Sequence, residues 1–322
     1  MDMRAGALQV GVNYGMVSDN LPTPDKVIAL YKSRQIQRLR LFDPNPDALK
    51  ALEGSGIQVI LGTRNEDLQK LATDPSYAKT WINTNVIPHV STTSFRCISA
   101  GNEVIPGDLA NYILPAIQNL DAALKAANLT IPVSTAISMQ AIGVSYPPSS
   151  GAFSNASAPI MGPITTFLAN HSYPLLANVY PYFAYAGNPK DISLDYTLFN
   201  TNEAVVQDGQ LGYKNLFHAM VDSVYSALEK AGGPNVGIVV AETGWPSAGN
   251  GDVATVEHAQ TYNNKLIAQL AATPGTPKRP GQDLETYLFA MFNENLKPAG
   301  VETNFGLYHH DMTEVYHVNF YP

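Results

Sequence analysis

Short apolar, β-branched runs recur along the chain, each stopped by Gly, Pro or a polar residue, and most are followed by a stretch whose apolar positions return every three or four residues. The runs at 9–15, 38–43, 57–62, 95–100, 132–137, 175–183, 237–242 and 285–294 read as strands. The helical spacing falls at 25–31, 46–53, 78–87, 109–127, 164–169, 216–231 and 256–270, with Thr23 as N-cap and Pro24 in the first turn of the first helix. Strand and helix alternate without a compositional break, which predicts an α/β fold: a single (β/α)8 barrel. Two stretches break the cadence. Residues 146–163, crowded with Pro, Ser, Gly and Ala, read as an excursion beyond the fifth strand, and 184–212, nearly aperiodic, as a small inserted subdomain around the sixth βα unit.

Composition narrows the class. In 322 residues, 45% hydrophobic and only 14% charged, a large core is available and long disordered tracts are not expected. A formal charge of −8 without a basic patch argues against nucleic acid and anionic membrane surfaces as partners. Pro277-Lys278-Arg279-Pro280 reads as a solvated loop. No run approaches the length of a membrane span. The single cysteine, Cys97, can form no internal disulfide and reads as an inert buried thiol.

Two strands end alike. Phe95-Arg96-Cys97-Ile98-Ser99-Ala100 runs into Gly101-Asn102-Glu103, and Gly237-Ile238-Val239-Val240-Ala241 into Glu242-Thr243-Gly244-Trp245-Pro246. The glutamates are 139 residues apart, so only a fold that collects distant strand ends can pair them, and a parallel barrel points all its C-terminal strand ends at one face. A carboxylic acid and a carboxylate across a sugar oxygen are the minimal machinery for cleaving a glycosidic bond. Aromatic residues at the same ends, Tyr14, Tyr180 and Tyr182 among them, suit the C–H faces of sugar rings. The competing structural reading gives these groups to loop hydrogen bonds and core packing.

At these residues the chain resembles a known family. Glu242-Thr243-Gly244-Trp245-Pro246-Ser247, Ala100-Gly101-Asn102-Glu103, Val179-Tyr180-Pro181-Tyr182-Phe183 and Met291-Phe292-Asn293-Glu294-Asn295, with Gly11-Val12-Asn13-Tyr14-Gly15, Ser145-Tyr146-Pro147-Pro148-Ser149 and Asn304-Phe305-Gly306-Leu307, closely resemble the plant endo-β-1,3-glucanases of glycoside hydrolase family seventeen. The resemblance implies a retaining hydrolase with Glu103 as acid/base and Glu242 as nucleophile, acting on β-1,3-glucans such as callose, laminarin or fungal wall glucan without a cofactor or metal. It further implies that Asn102 bonds the sugar 2-hydroxyl, and that Tyr14, Tyr180, Phe183, Trp245, Glu294, Lys297 and Phe305 join it in binding substrate. A lysine beside Glu242 would favour its ionised form, while desolvation would keep Glu103 protonated.

The chain also departs from the family. Phe42 stands where Tyr is usual, Tyr308-His309-His310-Asp311 replaces a more usual Phe-Tyr-Pro-Asn, and Gly62-Thr63-Arg64-Asn65-Glu66-Asp67 differs from the common form. Adjacent histidines on an extended chain point opposite ways, so no metal is expected at His309 and His310. Residues 1–8 read as a leader without an apolar signal core and 9–322 as the catalytic barrel. The sequons at Asn128, Asn155 and Asn170 favour a secreted or vacuolar glycoprotein, expected as a monomer, and both defence and callose remodelling fit such an enzyme. A mixed-linkage β-1,3-1,4-glucanase would share the same framework. A non-catalytic glucan-binding homologue would have no use for both carboxylates.

Overall fold

The computed structural model describes residues 8–321, and the predicted leader lies almost wholly outside them. Eight strands close into one barrel: β1 (Val10–Tyr14), β2 (Arg38–Leu41), β3 (Gln58–Gly62), β4 (Ser94–Asn102), β5 (Val133–Ser138), β6 (Leu175–Asn178), β7 (Ile238–Thr243) and β8 (Thr286–Leu288). All pairs are parallel and sequential, and β1 closes the ring by pairing with β8 as well as β2. A strand buried on both faces needs apolar residues in both phases, which is why these runs read as continuous rather than alternating. One phase packs on the surrounding helices. The other fills the barrel with Ile60, Cys97, Ala136, Leu176, Val239, Ala241 and Tyr287. Burial pushes the Cys97 thiol up to about 12, so it stays protonated. A side chain at Gly11 would meet the Tyr287 ring at 2.6 Å.

The helices are α1 (Pro24–Ser33), α2 (Pro46–Leu52), α3 (Leu68–Thr73), α4 (Pro75–Asn85), α5 (Ile113–Ala126), α6 (Ala158–His171), α7 (Pro181–Gly187), α8 (Leu194–Thr197), α9 (Leu216–Lys230) and α10 (Val256–Ala272). Thr23 occupies the N-cap of α1, but its side chain makes no capping bond; Asn45, Asn215 and Thr255 do cap α2, α9 and α10.

The structure redraws several of the predicted bounds. α6 starts at Ala158, inside the stretch taken as an excursion, and carries Pro163 in its interior. The sixth strand ends at Asn178, and Pro181 starts α7, so the aromatic cluster belongs to a helix and not to a strand. The eighth strand pairs over three residues only, so Glu294 stands in the loop beyond it.

The inserted segment contains α8 and a hairpin of Val206–Asp208 with Leu211–Tyr213, closed over Tyr196, Tyr213 and Ala219. A second hairpin, Ile142–Val144 with Ala152–Phe153, follows β5. Both lie against α9, which is consequently buried from Phe217 to Leu228, beyond what an amphipathic stripe predicts. Gly151 permits that contact: a side chain there would meet the Ser223 carbonyl oxygen at 2.0 Å.

Candidate active site

A cleft of about 920 Å³ crosses the C-terminal face of the barrel. Both strand-end glutamates open into it, and each sits where the sheet register slips. On β4 the pairing with β5 shifts between Ser99 and Asn102; on β7 the pairing with β6 shifts between Val240 and Glu242. Such bulges re-aim a side chain, here toward the barrel axis. At the β4 exit Gly101 has φ +69°, the left-handed region where glycine carries no penalty, and a side chain there would press on Leu68. Glu103 itself adopts φ 56°, strained for a non-glycine residue. That conformation is held from the third βα loop. Asn65 Nδ2 donates to the Asn102 carbonyl at 3.0 Å, the Asn102 N–H donates back to Asn65 Oδ1 at 2.8 Å, and Thr63 Oγ1 accepts from the Gly101 N–H.

The carboxylates meet over one amide. Asn178 Nδ2, at the end of β6, donates to Glu103 Oε1 at 2.8 Å and to Glu242 Oε1 at 2.9 Å. The two oxygens therefore lie at most about 5.7 Å apart. Glu242 Oε1 also accepts from Arg40 Nη1 at 2.8 Å, and Oε2 accepts from the Tyr180 hydroxyl at 2.7 Å. Arg40 Nη2 donates to Asn102 Oδ1 at 2.8 Å, linking the two strand ends. Burial pushes the Glu242 carboxyl up from its ordinary value, and the Glu103 charge adds to the rise; the Arg40 charge and the bonds from Tyr180 and Arg40 oppose it.

This arrangement corrects two expectations. The cation beside Glu242 is Arg40, not a lysine: Lys297 Nζ lies 5.5 Å from the Phe289 ring centroid, where its charge acts on Glu294. The desolvation expected at Glu103 falls on Glu242 instead, since Glu103 is exposed in the open cleft while Glu242 is 6% exposed.

Tyr14, Asn102, Tyr180, Phe183, Glu294, Lys297 and Phe305 all line the cleft, and Phe183 stands half in solvent. Glu294 is buried, its Oε2 accepting from the Val17 N–H at 3.0 Å, and burial raises its carboxyl. Trp245 does not reach the cleft. Fully buried, it packs edge-on against Tyr182 with centroids 5.1 Å apart, and its Nε1 donates to the Val253 carbonyl, because the turn after β7 aims it between the barrel and α10. Tyr182 is likewise buried and lies outside the cleft lining.

Three polar residues went unread in the sequence. Arg40 had a signal: in Arg38-Leu39-Arg40-Leu41 it holds the inward phase of a strand that should be apolar on both faces. Asn178 ends an apolar run as the two glutamates do. Asn65 had none, because its role depends on the contact between two loops.

The model of the glycosyl hydrolases family 17 matches residues 10–320. The chain belongs to that family. It is 49% identical over 323 aligned residues, covering 98% of this chain and 92% of the relative, to a glucan endo-1,3-beta-glucosidase of Vitis vinifera. A basic vacuolar glucan endo-1,3-beta-glucosidase of Nicotiana tabacum is 48% identical over 98% of this chain and 86% of its own length. Among solved structures, a beta-1,3-glucanase and allergen of Cryptomeria japonica pollen superposes with a TM-score of 0.94 at 48% identity, over 97% of this chain and 99% of that one. This family 17 member is a glycoside hydrolase with a complete pair of carboxylates in one cleft.

Proposed function

We propose that the enzyme hydrolyses internal β-1,3-glucosidic bonds by double displacement with retention of anomeric configuration. The observation that carries this reading is the shared Asn178 amide, which keeps the Glu103 and Glu242 oxygens within about 5.7 Å. Retaining glycosidases hold their carboxyl groups about 5–5.5 Å apart, whereas inverting ones leave room for a water between them. The substrate class follows from the named relatives, and a cleft open along the barrel face suits an internal stretch of polymer.

In the first step Glu242 attacks the anomeric carbon, Glu103 gives its proton to the departing glucosyl oxygen, and a glycosyl ester forms on Glu242. In the second, Glu103 takes a proton from water, the hydroxide oxygen bonds to the anomeric carbon, and the ester breaks to return Glu242 as carboxylate. Oε1 of Glu242 holds two donors, Arg40 and Asn178, and Oε2 only the Tyr180 hydroxyl, so Oε2 is the freer oxygen for attack. Asn102, anchored by Arg40 and Asn178, is placed to meet the 2-hydroxyl of the reacting sugar.

Incubation with laminarin, lichenan and cellulose, following reducing ends and the product anomer by NMR, tests the reading. Release from laminarin with β products supports it, and α products overturn retention. Release chiefly from lichenan changes the linkage, and binding without release favours a glucan-binding protein. Glu242→Gln should fold and lose nearly all activity. Glu103→Ala should keep turnover on substrates whose leaving group needs no proton, and absence of that rescue removes its acid role.

Exposed side chains at Asn128, Asn155 and Asn170, together with the vacuolar relative, support passage through the secretory route. A mass loss on enzymatic deglycosylation of protein from its native tissue checks this. One chain supplies the whole cleft, in keeping with a monomer, and light scattering tests that.

A further inference from the structure

Phe42, the first residue beyond β2, lines the cleft with its ring against the Arg40 guanidinium. Arg40 Cζ lies 4.5 Å from the ring centroid, well inside the range of a cation–π contact. The guanidinium is 1% exposed, and its Nη atoms are committed to Glu242, Ala241, Asn178 and Asn102. Its Nε, also buried, has no hydrogen-bond partner among the described residues. One edge is thus pinned by polar contacts, and the aromatic ring covers a face.

The ring is itself held in place. Its backbone carbonyl lies so close to Gly62 that a side chain there would come within 2.1 Å of the oxygen. Its edge meets the Phe289 ring at 6.0 Å and 84°. Phe289 in turn contacts Tyr180, at 6.3 Å and 78°, and Phe305 at 5.6 Å. Two of the three donors to the Glu242 carboxylate therefore rest on one aromatic cluster: Arg40 on Phe42, and Tyr180 on Phe289.

We propose that Phe42 is a positioning residue for the reaction, holding the Arg40 guanidinium in register with Glu242 through its ring face. The inference rests on Glu242 being the nucleophile. An aromatic ring is what the position requires, and the hydroxyl of a tyrosine is dispensable for this role. The ionisable groups facing Glu242 are Arg40 from β2, Glu103 from β4 and Tyr180 after β6; Lys297 lies over Phe289, and the buried Cys97 thiol of β4 feels the Arg40 charge. Of these only Arg40 touches Phe42 through a charge, so loss of the ring acts on Glu242 through Arg40.

The test is the pH profile of kcat/KM on laminarin for Phe42→Leu and Phe42→Tyr, with folding checked by circular dichroism. Phe42→Leu should move the acidic limb toward higher pH by roughly 0.5–1 unit, lowering kcat/KM about three- to tenfold on that limb through kcat more than KM. Phe42→Tyr, which keeps the ring face, should leave the limb where the wild type has it. An unmoved limb in Phe42→Leu with only KM raised would make Phe42 a substrate contact and overturn the proposal. So would a Tyr variant that shifts as the Leu variant does. Should Phe42→Leu fail to fold, Phe42→Met carries the same expectation. Glu242→Gln in the same assay separates the two levels: if it stays active the nucleophile reading fails, whereas an inactive Glu242→Gln beside an unmoved Phe42→Leu limb sinks this inference alone.

Discussion

Among the described residues Arg40 is the one cation that touches Glu242, and replacing it by Met removes that charge while roughly keeping the length of the side chain. The pair is 2.8 Å apart between nitrogen and oxygen, and its side chains are 1% and 8% exposed. With the charge centres about 4 Å apart and an effective dielectric near 20, the lost attraction is on the order of 4 kcal/mol. At 1.36 kcal/mol per pH unit that is close to 3 units, and the retained Tyr180 and Asn178 bonds bring the expected shift to about 2–3. The acidic limb of kcat/KM, which under the proposed mechanism reports ionisation of Glu242 in the free enzyme, should therefore move upward by that amount. On the acidic side of the wild-type limb, kcat/KM falls by roughly 10²–10³, and it partly recovers toward neutrality. Initial rates on laminarin between pH 3.5 and 8 measure it, with urea unfolding as the control. Removing one partner of a buried pair costs about 3–5 kcal/mol unless the other neutralises, so the Arg40→Met, Glu242→Gln double variant should regain stability over Arg40→Met alone. A limb left at its wild-type pH with a uniformly lower rate would mean that Arg40 does not set the charge of Glu242.

Three further outcomes follow from the geometry. Gly15→Ala places a carbon 1.9 Å from Glu294 Oε1 and must displace that carboxylate, so kcat/KM on laminarin should drop about tenfold or more with the acidic limb unmoved; wild-type kinetics would remove Glu294 from substrate binding. Trp245→Phe should lower stability by about 2 kcal/mol in urea unfolding, through the lost Val253 bond and the smaller ring, with KM unchanged within twofold; a large KM effect would return Trp245 to the cleft. Burial lowers His218 from 6.5 to about 4, so its stabilising contribution is present above pH 6.5 and is lost as pH falls toward 4. Burial raises Asp222 from 3.8 to about 6, so its contribution is present below 3.8 and is lost as pH rises through 6. The two oppose each other across this window, and His218→Gln should leave the Asp222 trend alone: urea midpoints that rise on going from pH 6.5 to 4, where the wild type changes less. A wild-type-like profile in the variant would show that His218 does not titrate with folding.

The fold class, the succession of eight strands along the chain and the two strand-end glutamates are legible in the sequence, because each shows in the local pattern of apolar and polar residues. A strand buried on both faces must be a continuous apolar run, a helix must return its apolar residues to one side, and a carboxylate at the end of such a run is out of place unless it faces a site. The strand ends were less legible. β8 pairs over only three residues and β6 gives way to α7 at Pro181, since pairing depends on what the neighbouring strands offer. Only the tertiary structure decided which polar groups meet. Arg40, Asn65 and Asn178 reach Glu242, Asn102 and Glu103 across gaps of 202, 37 and 75 residues, and no period in the chain encodes those meetings. It also decided burial: Trp245, three residues beyond Glu242, turns into the core, and Glu103, expected to be desolvated, is exposed. Both follow from bulges and loop contacts that set where a side chain points, and those depend on every strand of the closed barrel at once.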